Sequence, residues 1–179
     1  MSLLSLFLTA DGAECSSEGS LSCTFGPCSF STDTSGVLDR TGSCPDQAGA
    51  LYLNNKGIKA LRDGIFNNMS ACSYLYLNGN RLSNLTETIF RGLTNSPNLV
   101  GLYLYHNLLS NLPETIFRGL RVGQIMLDRN QLSSLPETIC RGLTRLVSIS
   151  VSDNRLSNLP ETIFRGLRAL TILLWVAIG

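Results

Sequence analysis

The stretch LVSISVSDNRLSNLPETIFRGL, residues 146–167, decides the fold, because its apolar residues follow two rhythms in succession. Ile149 and Val151 alternate with Ser148, Ser150 and Ser152, the period of two expected of a half-buried strand with aliphatic side chains inward and serines outward. Asn154 comes next; a buried asparagine after a strand can bond backbone groups that a bend would otherwise leave unpaired. Pro160 then suits the first position of a short helical turn, and Gly166 the residue past its end. From Leu146 the unit is L-x-x-I-x-V-x-x-N-x-L-x-x-L-P-x-x-x-F-x-x-L: strand, bend, and helical turn on the opposite side.

The same unit recurs upstream. Its second half appears as LTETIFRGL at 85–93, LPETIFRGL at 112–120 and LPETICRGL at 135–143. Its first half appears as LYLNGNRLSNL from Leu75, LYLYHNLLSNL from Leu102 and IMLDRNQLSSL from Ile125. The anchoring asparagines Asn80, Asn107, Asn130 and Asn154 are 27, 23 and 24 residues apart, and a weaker copy from Leu51 carries Lys56 in the asparagine position. Five units therefore cover about 50–169. One unit alone buries too little apolar surface to offset the entropy of ordering it, so the units must stack on a common interior. The expected architecture is an α/β repeat solenoid, a curved right-handed coil with a parallel sheet on the concave face and short helical or 3-10 turns on the convex face. Stacked asparagines then form a ladder. On the convex face Glu114 with Arg118, Glu137 with Arg141 and Glu161 with Arg165 lie four residues apart and are expected to pair in solvent.

These phrases resemble the leucine-rich-repeat family, and the 24-residue period with its LP and Phe resembles the subclass typical of extracellular proteins. Members include Toll-type receptor ectodomains, small leucine-rich proteoglycans and the variable lymphocyte receptors of jawless fish. The resemblance implies a module that recognises a protein or glycan ligand in a secreted or cell-surface, receptor-like or adhesion-like protein. The same repeats also serve intracellular scaffolds and regulators of enzymes, which makes a cytoplasmic protein the alternative. Many members carry cysteine caps at both ends. Here the cysteines before Leu51 stand for the N-terminal cap, with a spacing unlike the family's compact cluster, and no C-terminal cysteine cap follows.

The six cysteines divide accordingly. Cys15, Cys23, Cys28 and Cys44 crowd a Ser/Gly/Thr-rich segment, 14–49, whose scarcity of large apolar side chains leaves cross-links to order it; two disulfides in an oxidising compartment are expected, in any of three connectivities. Zinc is the rival, disfavoured by the lack of a CxxC pair and by the remoteness of His106. Cys72 takes the first leucine position of its unit and Cys140 replaces the phenylalanine, so both are expected as buried thiols, with a bond from Cys72 to the N-terminal cluster as the alternative. Residues 1–13 hold a short apolar run without a preceding basic residue, a weak secretion leader. The tail 170–179 begins a sixth, incomplete unit; it is too short to span a bilayer, and its uncapped end is expected to self-associate or to need a C-terminal continuation.

An apolar share of 44% against 15% charged places the chain among folded proteins, and a net charge of +1 offers no basic field for nucleic acid. No GxSxG or HExxH phrase accompanies the single histidine, so neither catalysis nor a cofactor or metal is expected. What remains is the outer face of the strands. One column runs Tyr52, Tyr76, Tyr103, Met126, Ser150; a second Asn54, Asn78, Tyr105, Asp128, Ser152; a third Asn55, Gly79, His106, Arg129, Asp153. Tyrosine offers large contact area, a polar tip and little entropy to lose. The expected contact patch is therefore Tyr52, Tyr76, Tyr103, Tyr105 and Met126, with His106, Asp128 and Arg129 adding polar specificity. Two sequons, at Asn68 and Asn84, are glycosylation candidates if the chain is secreted; the second exists because Thr86 stands where later units have proline.

Overall fold

The computed structural model describes residues 13–16, 22–44, 48–94 and 96–175, with 13–16 and 22 described by backbone alone. The leader expected over 1–13 lies outside these residues but for Ala13, as does the tail beyond Trp175. Four strands, β1 (Ala13–Ser16), β2 (Ser22–Phe25), β3 (Cys28–Thr32) and β4 (Val37–Thr41), form an antiparallel meander. The repeats supply β5 (Gly49–Tyr52), β7 (Cys72–Tyr76), β8 (Gly101–Tyr103), β9 (Gln124–Met126), β10 (Ser148–Ser150) and β11 (Ile172–Leu174), which pair in chain order as one parallel sheet. The short strand β6 (Ala60–Leu61), on the far side of the first coil, adds parallel to β4 and so ties the meander to the solenoid.

Register follows the repeat. Leu51, Leu75, Leu102, Ile125, Ile149 and Leu173 stand level on successive strands. All but the last are buried, within one apolar core that runs from Cys23 to Ile163. Phe66, Phe90 and Phe117 stack behind the sheet with centroids 6.0 and 6.2 Å apart. On the sheet side the rings of Tyr52, Tyr76 and Tyr103 are only 4.8 and 4.5 Å apart. Coils closer on the sheet side than on the turn side make the sheet the inner, concave surface.

The asparagine ladder is continuous. Asn130 accepts from the Leu109 N–H at 3.1 Å in the preceding coil and donates to the carbonyls of Leu104 and Leu127, each at 3.0 Å. Asn80, Asn107 and Asn154 repeat the pattern, and Asn80 also takes the N–H groups of Lys56 and Ile58. The convex turns close by i to i+3 bonds, such as Ile116 N–H to Pro113 O and Arg118 N–H to Thr115 O, not by α-helical ones. This alters the expected charge pairing. Residues four apart do not share a face in so tight a turn, and the glutamates bond across coils instead. Glu87 accepts from Thr115, Glu114 from Thr138 at 2.7 Å, and Glu137 from Thr162. Arg118, Arg141 and Arg165 stay exposed on this face.

Cys28 and Cys44 form a disulfide, and Cys23 is also disulfide-bonded; Cys15 faces Cys23 in register, its side chain outside the described residues. Cys72 and Cys140 are free and buried, so the alternative bond from Cys72 does not form. Burial pushes both thiols up to about 11 from an ordinary 9.0. Both are expected to be silent toward a thiol-exchange reagent in the native protein at pH 8 and to react on unfolding in urea; rapid native-state reaction of either would contradict this burial. The folded thiols keep protons that the unfolded ones lose, so their contribution to stability is complete below pH 9 and disappears as pH rises through 11.

Candidate functional site

The outer face of the parallel sheet gathers all five tyrosines of the chain. Tyr52, Tyr76 and Tyr103 occupy one level of β5, β7 and β8, followed by Met126 on β9 and Ser150 on β10. Strand spacing brings the rings to stacking distance, with planes within 8° for Tyr52–Tyr76 and 3° for Tyr76–Tyr103. Each such pair contributes about 0.5–1.5 kcal/mol beyond its buried area. Tyr76 hydrogen-bonds Tyr103, whose hydroxyl donates to Gln124 Oε1 at 2.8 Å. Burial, then the neighbouring phenols of Tyr103 and Tyr52, then this hydrogen bond, push the Tyr76 phenol up to about 12, and burial likewise raises Tyr103. The Tyr76 and Tyr103 phenols thus stay uncharged across the physiological range.

Tyr74 and Gln124, two residues before Tyr76 and Met126 on their strands, belong to the face, though the column pattern of the sequence did not include them. The period-two rule that selected Tyr76 also points Tyr74 outward, and its ring lies 6.1 Å from that of Tyr76. In the same row stands Gly101; a Cβ there would come within 2.6 Å of the Tyr103 ring. A side chain at 101 would displace that ring, so the small residue makes room for the stack. Ser148 and Ser150, expected outward and exposed, are buried at 4% and 1% exposure. Each sits between longer side chains on the flanking strands, Gln124 and Ile172 beside Ser148, Met126 and Leu174 beside Ser150.

In the next column Asn78 is 7% exposed and its Oδ1 has no hydrogen-bond partner among the described residues. Tyr105 is half-buried, its ring edge-on to His106 at 5.8 Å, and Asp128 accepts from Ser150 Oγ. The third column has left the strand. Asn55, Gly79, His106, Arg129 and Asp153 all adopt left-handed backbone, with φ of 57°, 69°, 55°, 52° and 52°. Asn, Asp and His tolerate this region best; Arg129 is held there by two bonds. Its Nη1 donates to His106 Nε2 at 2.8 Å and its Nε to Asp153 Oδ2 at 3.1 Å. A guanidinium only donates, so His106 Nε2 is the acceptor of that bond. The face therefore runs from an aromatic and amide half on β5, β7 and β8 to a half that carries Asp128 and the Arg129–Asp153 ion pair. Among the described residues no cluster of His, Cys, Asp and Glu is arranged to hold a metal ion.

The leucine-rich-repeat family model matches residues 49–96 and 121–174, the stacked coils that carry this face. The chain belongs to the leucine-rich-repeat family. Its fold is similar to that of a leucine-rich-repeat protein of Leptospira interrogans, to which it is 23% identical with a TM-score of 0.60, over 73% of this chain and 32% of that one. It is also similar to Drosophila Toll, solved in glycosylated form in complex with Spatzle: 28% identity and a TM-score of 0.64, over 71% of this chain and 17% of Toll. The chain thus spans well under half the length of either. None of the curated proteins matches it in sequence. No helix among the described residues is long and apolar enough to cross a membrane.

Proposed function

We propose that this leucine-rich-repeat chain is a protein-binding module of a secreted or cell-surface protein, and that it grips its partner on the tyrosine face. The gathering of every tyrosine of the chain onto one side of the sheet carries this reading. Strand propensity would place tyrosines on strands without aligning three of them in one stacked column. The polar border adds to it: Arg129, bonded to His106 and Asp153, holds a fixed guanidinium at the exposed edge of the face. The Cys28–Cys44 disulfide favours an oxidising compartment, as does the resemblance to Toll, which engages Spatzle. Asn68 and Asn84 are exposed, as carriers of N-linked sugar must be.

Tyr52, Tyr76, Tyr103, Tyr105 and Met126 form the apolar centre of the proposed contact, and His106, Asp128 and Arg129 its polar border. A photo-crosslinking residue in place of Met126 should trap the partner. Tyr76→Ala and Tyr103→Ala should each weaken the trapped partner's affinity at least tenfold, the loss of a buried aromatic anchor. Unchanged affinity in both variants, with native stability, would remove the face as the binding site.

A further inference from the structure

A second surface lies away from the tyrosines, on the flank where the chain climbs from the convex turns back into the strands. A groove of about 690 Å³ runs along it, from Ser73 in the second coil to Ala169 in the last. It originates in the longest unit of the array. The asparagine spacing widens to 27 between Asn80 and Asn107, and the extra residues fall before β8. Ser96 anchors that insertion, being fully buried with its hydroxyl donating to Cys72 O at 3.0 Å. Pro97 then presents its carbonyl outward, where Arg145, 48 residues on, reaches across an intervening coil to donate from Nη1 at 2.9 Å.

The floor is apolar and notched. Val100, 40% exposed, lines it with Pro97 and Ala169, and Gly123 stands beside Val100 on the next coil. These backbones are already bonded to one another, Gly123 N–H to Val100 O and Val147 N–H to Gly123 O. Recognition here must therefore come from side chains and from the notch that the missing side chain at 123 leaves. Arg121 and Arg145 line the groove and no carboxylate does. The ion pairs Arg62–Asp39 and Arg129–Asp153, formed among the described residues, engage neither guanidinium. Five coils at the spacing of neighbouring strands give a length of about 19 Å, that of an extended peptide of about six residues.

We propose that this flank groove docks an extended acidic segment of a protein partner, its carboxylates on Arg121 and Arg145 and a small aliphatic side chain in the notch at Gly123. Forked guanidiniums bind carboxylates bidentately, which fixes the segment's register, while Val100 and Pro97 give it apolar contact. The site is independent of the tyrosine face.

The test uses the whole chain and two fluorescein-labelled hexapeptides, one of alternating glutamate and valine, the other of alternating lysine and valine. The glutamate peptide should bind by anisotropy, shift the backbone amide signals of Val100, Gly123 and Val147, and weaken as salt is raised. Arg121→Glu, a change at an exposed side chain, should lower its affinity at least tenfold, and Gly123→Leu, which fills the notch, should do the same. Tyr76→Ala should leave it unchanged, whatever that variant does to the partner of the tyrosine face. Equal binding of the lysine peptide, amide shifts confined to the tyrosine face, or full affinity in Arg121→Glu would each overturn the proposal. So would capture of anionic phospholipid vesicles without binding of the glutamate peptide.

Discussion

Asn130→Ala is expected to lower the free energy of unfolding by about 3–5 kcal/mol, since buried polar groups left without partners cost about 1–3 kcal/mol each. Truncation removes the acceptor of the Leu109 N–H and the donors to Leu104 O, Leu127 O and, at 3.3 Å, Asp128 O, four backbone groups in two adjacent coils. The side chain is only 8% exposed, so water does not readily take over these bonds. Asn130→Asp should be no milder at neutral pH, because a carboxylate keeps the acceptor and turns negative charge on these carbonyl oxygens. Urea denaturation of both variants is the measurement. A loss below about 1 kcal/mol in Asn130→Ala, against that per-group cost, would mean that the ladder is a consequence of stacking and not one of its causes.

The ladder was legible in the sequence because a single residue type recurs wherever the same backbone groups need partners. An amide is the smallest side chain that accepts through one atom and donates two hydrogens through another, and only a fixed period lets it do so in every coil. The column of Tyr52, Tyr76 and Tyr103 was legible for a related reason, since strand alternation is strict and a shift of one residue reverses every side chain. Alternation stops where the strand stops. His106, Arg129 and Asp153 resembled a further strand column, yet their left-handed backbone makes them a surface chain of charge contacts instead. The convex face misled in another way. Glu114 and Arg118 have the spacing of a helical pair, but a turn closed by i to i+3 bonds leaves the glutamate nearer to Thr138 of the next coil. Such pairings depend on how two coils are offset, which the residues of neither coil specify alone. The same is true of β6 and its attachment to β4, made from two residues with no strand signal of their own. The roles of Gly101 and Gly123 were invisible because an absent side chain acquires meaning only from what fills or borders its space.

Phe90→Ala is expected to cost about 3–5 kcal/mol, the usual range for deleting a fully buried phenylalanine, and to change the form of unfolding as well as its midpoint. Phe90 has no exposed surface and is stacked between Phe66 and Phe117. In a stack of coils each unit is stabilised by its interfaces with its two neighbours, so cooperativity depends on the weakest of those interfaces. Removing a ring that belongs to two interfaces at once weakens both and leaves a coil on which the halves of the solenoid no longer agree. Urea unfolding should therefore broaden, with a smaller apparent m-value, and separate into two steps as the coils beyond Phe117 melt apart from those next to the meander. Phe164 supplies the control: it holds the same position in the last full unit but is only half-buried. Its loss should shift the midpoint by less and leave a single transition. If Phe90→Ala unfolds in one step with an undiminished m-value, the phenylalanine column is filler for a core held by the sheet, and coupling between coils must reside in the strands and the asparagines.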